Sequence, residues 1–258
     1  MNKLGPISVG GSNPVRIMGI LNLSPESFYK KSVKTSKNEI IKTVKKMEDG
    51  GADIIDIGGM STAPYLKTII SEKEESRRLI DAIKIIQNIS NIPISVDTCR
   101  SKVAKAVLEQ GIDVINDISG LKYDKKMINV LQQYCPSVVL CSYNRTAKTG
   151  NISETRKFLK QSISLAKTTN ISKNKIVVDP AIGFFRKKGR GKFFSKITND
   201  WVLRDLDILH NLRSLKLDFP ILVSVSRKSF LGSILKQNDP EDRISGSLAC
   251  EVLSVING

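Results

Sequence analysis

The 258-residue sequence predicts an α/β protein built as a (β/α)8 barrel of the TIM type, and three observations point there. Short apolar runs alternate with amphipathic stretches, the pattern of parallel strands joined by helices. Almost every run ends, on its C-terminal side, in a polar residue or glycine, as expected where barrel strands deliver side chains to an active-site rim. No G-x-G-x-x-G or Walker A motif follows any strand, which weighs against a nucleotide-binding doubly wound sheet, whose chemistry gathers at one switch point.

The expected strands are "RIMGILN" (16–22), "DIIDIGG" (53–59), "PISVDT" (93–98), "DVINDIS" (113–119), "SVVLCSY" (137–143), "KIVVDPA" (175–181) and "PILVSVS" (220–226). Their polar ends are Asn22, Asp56 with Gly58-Gly59, Asp97, Asn116-Asp117, Ser142 with Asn144, Asp179, and Ser226-Arg227-Lys228. Between them, "NEIIKTVKKMEDGG" sets Ile40, Ile41, Val44 and Met47 on one face. "SEKEESRRLIDAIKIIQNI" opens with Ser71-x-x-Glu74, a capping box. "SKVAKAVLEQG" begins in serine and ends in glycine. "SETRKFLKQSISLAK", the segment holding His210, and "DPEDRISGSLACEVLSVI" supply the later helices. No linker divides the chain, so residues 1–258 read as one domain. Only seven strands are legible; an eighth is missing, and "PISVGG" (6–11) is either its substitute or a hairpin over the barrel floor.

Composition bounds the chemistry. One histidine, in an amphipathic helical pattern, leaves no multi-histidine metal site and poor odds for a Ser-His-Asp triad. Cys99, Cys135, Cys141 and Cys250 form no C-x-x-C pair and read as reduced thiols. No apolar run approaches the roughly 18–20 residues of a membrane span; a cytoplasmic protein with no membrane partner is expected. The net charge of +16 allows nucleic-acid binding, but lysines spread over many helices and 5% aromatics favour a solvated basic surface and no nucleic-acid partner. Asp53 and Asp56 stand out, since a carboxylate in an isoleucine-rich strand is costly unless it is used or satisfied. Asp53 suits the wet start of the strand and Asp56 the rim.

At this point six ordered motifs, "MGILNLSPESF" (18–28), "GADIIDIGG" with "ST" and Pro64 (51–64), "ISVDT" (94–98), "VINDISG" (114–120), "DP" with "IGF" (179–184) and "VSRKSF" (225–230), resemble dihydropteroate synthase and its pterin-binding relatives. The resemblance implies a (β/α)8 barrel, an arylamine displacing pyrophosphate from 6-hydroxymethyl-7,8-dihydropterin pyrophosphate with Mg²⁺ assistance, and a tendency to form homodimers. It places Asp179, Asn116 and Lys228 on the pterin edge and Asp97 near the pterin, where a carboxylate stabilises positive charge as the C–O bond breaks. It places Asn22 at Mg²⁺ and pyrophosphate, and Ser61, Thr62, Ser226 and Arg227 beside the acceptor. Asp97 and Lys228 are the expected catalytic pair.

The departures from the family pattern cluster. "GMSTAPY" stands for G-E-S-T-R-P-G, so Met60 replaces an acid and Ala63 an arginine. "YKKS" lacks the usual glycines, "CSYNRT" replaces a Met-His pair, "GFFRK" replaces "GFGK" ahead of the basic run "RKKGRGK" (186–192), and the C-terminal Arg-x-His strand is absent. Arg227, Arg145, Lys30 or Lys31 could stand in for the lost arginine. The acceptor could instead be a ribosylated aminobenzene phosphate, its phosphate meeting Lys187 and Lys188. Two other functions share the pocket: a pterin-dependent methyltransferase acting on a corrinoid protein, and a non-catalytic pterin binder.

Overall fold

The computed structural model describes residues 1–25, 33–65 and 68–258. A two-stranded antiparallel hairpin, β1 (Asn2–Leu4) and β2 (Ile7–Val9), opens the chain. Six parallel strands follow in sequential order: β3 (Met18–Asn22), β4 (Ile54–Gly58), β5 (Ile94–Asp97), β6 (Val114–Asp117), β7 (Ser137–Cys141) and β8 (Ile176–Asp179). Their connections carry α1 (Lys37–Asp49), α2 (Glu72–Gln87), α3 (Ser101–Leu108), α4 (Met127–Tyr134) and α5 (Ile152–Ala166). A short parallel pairing, β9 (Phe185–Arg186) with β10 (Ser195–Lys196), decorates the rim before α6 (Trp201–His210), α7 (Ser229–Leu235) and α8 (Ile244–Asn257).

Strands β4 to β8 are buried on both faces, which is why their sequences read as near-continuous apolar runs. Outside them, residues such as Leu21, Ile55, Val96, Ile115, Leu140 and Val178 pack on the helices in one large core. Inside, Ile54, Val114, Val139 and Val177 meet Leu4 and Val9 of the hairpin. Gly5 N–H donates to Ser137 Oγ at 2.9 Å, at the N-terminal end of β7. The N-terminal segment is therefore the floor hairpin and leaves the eighth-strand position unfilled among the described residues.

The expected seventh strand is reduced to one bridge: Ile221 pairs with Val178, through Val178 N–H to Pro220 O (2.9 Å) and Leu222 N–H to Val178 O (2.8 Å). Among the described residues the outer edge of β3 carries a single bridge, Asn22 with Val33, through Lys34 N–H to Asn22 O (2.9 Å), and Ile20, level with the inward-facing Asp56, is 42% exposed.

Helix ends follow local chemistry. Ser71 caps α2 through Glu74 N–H, but the return half of its expected capping box is lost because Glu74 binds Arg77 and Arg78 (2.8 and 2.9 Å). The complete capping box lies at α1, between Ser36 and Glu39. Ser101 is the first helical residue of α3, with Arg100 as its cap. Asp53 stands at the bottom of β4, bonded to Arg16 (2.9 Å) and Ile17 N–H (2.8 Å). His210 is exposed at the end of α6, the four cysteines are free thiols, and among the described residues no helix is long and apolar enough to cross a membrane.

Candidate active site at the strand ends

Strand register assembles the site. Asn22, Gly58, Asp97 and Asn116 stand side by side on four successive strands, one from each. One step below, Asp56 is level with Ser95. Because side chains alternate across a strand, Asp56 and Gly58 share one face, as do Ser95 and Asp97. Asp179 ends β8 level with Cys141, and Lys228 precedes α7. The pterin-side residues expected from sequence, Asp97, Asn116, Asp179 and Lys228, are thus brought together with Asn22 on one rim.

The carboxylates divide by their partners. Asp117 faces outward and closes its own loop, accepting from Ser119 N–H (2.7 Å), Ser119 Oγ (2.6 Å) and Leu121 N–H (3.0 Å). Asp179 accepts from Ala181 N–H at 2.6 Å, so its Asp-Pro sequence does form a turn as well as a pocket wall. Asp56 is held inward by Ser95 Oγ (2.6 Å) and Asn116 Nδ2 (3.0 Å). Asn116 is therefore bonded across the barrel interior, not folded into a local loop turn. Asp97 caps no helix; its Oδ1 is buried with no hydrogen-bond partner among the described residues.

Burial drives the electrostatics. It pushes the Asp56 carboxyl up to about 6 against the lowering effect of Ser95 and Asn116. Burial, then Asp56, Glu75 and Asp117, push Asp97 well above the usual carboxylate range, and the Lys228 ammonium draws it back. Asp179 is raised by burial and lowered by Ala181 N–H, Lys228 and the Cys141 thiol. Burial lowers Lys228, opposed by Asp179 and Asp205. Lys228 Nζ lies 4.2 Å over the Phe184 ring. An acid-lined, partly desolvated rim that also carries the Lys228 ammonium suits a planar ligand rich in N–H donors.

The two glycines of β4 differ in role. A Cβ on Gly58 would lie 3.6 Å from Asn22 Oδ1 and 3.9 Å from Asp97 Oδ2, within the site itself. On Gly59 it would press on Leu79 (3.0 Å) and Glu75 O (3.1 Å) in α2. Gly58→Ala is accordingly expected to leave thermal stability nearly unchanged yet lower kcat/KM at least tenfold. A drop in stability without that kinetic loss would assign Gly58 to packing.

Of the residues expected beside the acceptor, Ser61 and Thr62 line a small cavity with Ala63, Thr68, Arg190 and Lys192. Pro64 O accepts from Arg190 and Gly191 N–H at 2.9 Å each, clasping the loop after β4 to the basic run after β9. Ser226 is exposed. Arg227 directs Nη1 to the carbonyls of Pro240 and Glu241 (2.8 and 2.7 Å), anchoring the C-terminal turn. Arg145, Lys187 and Lys188 are exposed; Lys30, Lys31 and the "YKKS" departure lie outside the described residues.

Arg204 and Asp205, neighbours on α6, were not singled out by sequence. Arg204 donates to Pro180 O (2.9 Å) and Ala181 O (3.3 Å), and Asp205 accepts from Gly183 N–H (3.0 Å). Together they hold the turn after Asp179 from behind, in which Ala181 adopts φ +58°. Their one sequence signal was an adjacent Arg-Asp pair in the helical stretch "WVLRDLDILH".

The family model for pterin binding enzyme matches residues 18–258. The dihydropteroate synthase of Clostridium beijerinckii is 38% identical over 98% of this chain and 89% of its own length, and that of Synechocystis is 35% identical over 92% and 81%. Among solved structures, the dihydropteroate synthase of Coxiella burnetii in complex with pteroic acid superposes with a TM-score of 0.82 at 34% identity, covering 97% of this chain and 86% of that one. The Xanthomonas albilineans enzyme with 4-aminobenzoic acid gives 0.78 at 28%, covering 94% and 84%. With six parallel strands delivering Asn22, Asp97, Asn116 and Asp179 to one rim, the chain belongs to the dihydropteroate synthase family of pterin-binding enzymes.

Proposed function

We propose that the chain joins p-aminobenzoate to 6-hydroxymethyl-7,8-dihydropterin pyrophosphate, yielding dihydropteroate and pyrophosphate for folate synthesis in the cytoplasm. The observation that carries this reading is the convergence of Asp97, Asn116, Asp179 and Lys228 on one rim, with the Asp97 Oδ1 atom buried and without a hydrogen-bond partner among the described residues. An amine with no acidic proton to lose first is a sufficient nucleophile if the leaving group is stabilised. The amine nitrogen forms the new C–N bond, the C–O bond to pyrophosphate breaks with its electron pair, and the amine then releases one proton.

In this reading Asp179 accepts N–H bonds from the pterin edge and Asn116 meets its mixed donor and acceptor positions. Lys228 caps the ring carbonyl while the Phe184 ring holds its ammonium in place. Asp97 faces the positive charge that develops as pyrophosphate departs. Asn22 orients the pyrophosphate. Mg²⁺ fits this donor set as an ion carried in by the substrate: Asn22 Oδ1 and Asp97 Oδ2 flank Gly58, while among the described residues no cluster of three ligating side chains would hold it alone. Bound there, it would neutralise phosphate charge.

The acceptor carboxylate suits the cavity lined by Thr62, Arg190 and Lys192, whose cations offset the absence of charge at Ala63. The names of the relatives favour p-aminobenzoate over a ribosylated amine or a methyl-transfer reaction. The test is pyrophosphate release from the dihydropterin pyrophosphate with Mg²⁺, with p-aminobenzoate and, separately, the ribosylated aminobenzene phosphate. Release with p-aminobenzoate is expected; release only with the ribosylated amine would reassign the acceptor, and none with either would sink the synthase reading.

We propose further that residues 1–258 work as one unit and that two copies associate. The exposed Ile244, Leu248, Val252, Val255 and Ile256 of α8 support a self-association surface. Sedimentation as a monomer at micromolar concentration would refute this.

A further inference from the structure

Asp56 differs from the buried carboxylates Asp117 and Asp179 in what it touches. Asp117 closes its own loop with backbone N–H groups, and Asp179 caps Ala181 N–H. Among the described residues Asp56 takes no such backbone bond: its partners, Ser95 Oγ at 2.6 Å and Asn116 Nδ2 at 3.0 Å, are side chains of the next two strands, facing the same interior. Asp56 is 8% exposed and Ser95 fully buried, while Asn116 is only half-buried and opens on the pocket.

We infer that Asp56 is a positioning residue whose carboxylate fixes which way Asn116 presents its amide to the pterin. The inference rests on the pterin-pocket reading above. An ionised carboxylate accepts and cannot donate, whereas the two ends of a carboxamide have the same shape and opposite hydrogen-bonding character. Asn116 must therefore turn its NH₂ towards Asp56. The carbonyl oxygen and the second N–H are left for the pocket, one acceptor and one donor in fixed order. A ligand edge with that pattern reversed would leave buried polar groups unpaired, the arrangement that discriminates most strongly between ligands.

Ser95 serves the same end. It occupies Oδ1, so that only Oδ2 is directed at Asn116, and the carboxylate plane is set. The groups facing Asp56 are acids, Asp97 on β5 and Asp179 on β8, and the Lys228 ammonium draws both of those carboxyls down. Burial raises Asp56 to about 6, so at neutral pH it is still ionised. A carboxylate kept in so unfavourable a place is a functional cost to stability.

The experiment begins with the wild-type protein and the dihydropterin pyrophosphate alone, titrated by pterin fluorescence. Absence of binding would bring down the pocket reading, and this inference with it. Given wild-type binding, Asp56→Asn is expected to weaken the pterin at least tenfold, leave the KM for p-aminobenzoate unchanged, and leave the thermal midpoint at pH 8 unchanged or higher. The introduced amide can donate, so Asn116 is free to turn over. Equal pterin affinity in Asp56→Asn would overturn the inference while the pocket reading stands. So would a fall in both substrates' binding that tracks a fall in thermal midpoint, the mark of a structural residue. Should Asp56→Asn not fold, Ser95→Ala frees Oδ1 and lets the carboxylate rotate. A threefold or greater loss of pterin affinity at constant amine KM is then expected, and unchanged affinity would overturn the inference.

Discussion

Asp179→Ala is expected to abolish measurable dihydropterin binding while the protein stays folded. If the carboxylate accepts two N–H bonds from the ligand edge, each charge-assisted bond contributes about 1.5–3 kcal/mol. Together, about 3–6 kcal/mol corresponds to roughly 10²- to 10⁴-fold in Kd. One complication is local, because Asp179 also accepts Ala181 N–H at 2.6 Å. The turn does not depend on that bond alone: Arg204 grips the carbonyls of Pro180 and Ala181, and Asp205 holds Gly183 N–H. Asp179→Asn separates the two contributions. It preserves an acceptor oxygen for Ala181 but loses the second acceptor, so its affinity should fall nearly as far as in Asp179→Ala. Calorimetric titration with the dihydropterin pyrophosphate measures both variants, and circular dichroism checks the fold. Wild-type affinity in Asp179→Ala would show that the pterin lies elsewhere.

Much of this architecture was legible in the chain because buried parallel strands advertise themselves as apolar runs with polar ends. Six of the seven expected strands form within two residues of the expected limits. The seventh, "PILVSVS", has the same composition but forms only a bridge at Ile221, since a strand's ladder depends on a neighbour that its own sequence does not specify. Helix α4 was overlooked: "MINVLQQY" is short, with no side-chain cap. Ser36 lies just ahead of the expected helical segment, although its Ser-x-x-Glu box ends at Glu39, directly before the apolar Ile40.

The site was legible residue by residue and not in its connections. The pairing of Asp56 with Asn116 spans 60 positions and exists only once β4 and β6 face one interior. The family departures also gain a physical account. Met60, Cys141 and Phe185 all fall in one apolar cluster with Cys99, Ile118 and Phe158. Phe185 stacks on Phe158 with ring centres 6.4 Å apart and carries the Arg204 guanidinium 3.8 Å above it. Phe185, where the family pattern has glycine, is thus accommodated by packing in this cluster. These substitutions read as repacking around the pterin pocket and call for no change of substrate.

Asp97→Asn is expected to lower kcat far more than it weakens pterin binding. The substitution keeps shape and removes the negative charge that, in the proposed reaction, faces the reacting carbon. Loss of one preorganised electrostatic group typically costs about 10²- to 10³-fold in kcat, whereas a ground-state contact that an amide can still make should cost under tenfold in Kd. The same residue governs the acid side of the rate profile. Burial, Asp56, Glu75 and Asp117 hold its carboxyl well above the usual range, with Lys228 opposing them. Activity that needs it ionised must therefore rise with pH through a limb displaced above ordinary carboxylates. In Asp97→Asn that limb should vanish, leaving whatever slope Asp56 and Asp179 impose. Stability should move the opposite way. A carboxyl raised in the folded state stabilises it below the unfolded pKa, and that contribution is lost as pH rises through the folded value. Asp97→Asn should thus gain thermal stability over wild type increasingly as pH rises. Steady-state kinetics from pH 5 to 9 beside melting curves at the same pH values reads both effects. A kcat within threefold of wild type would remove Asp97 from the chemistry, whatever the melting curves did.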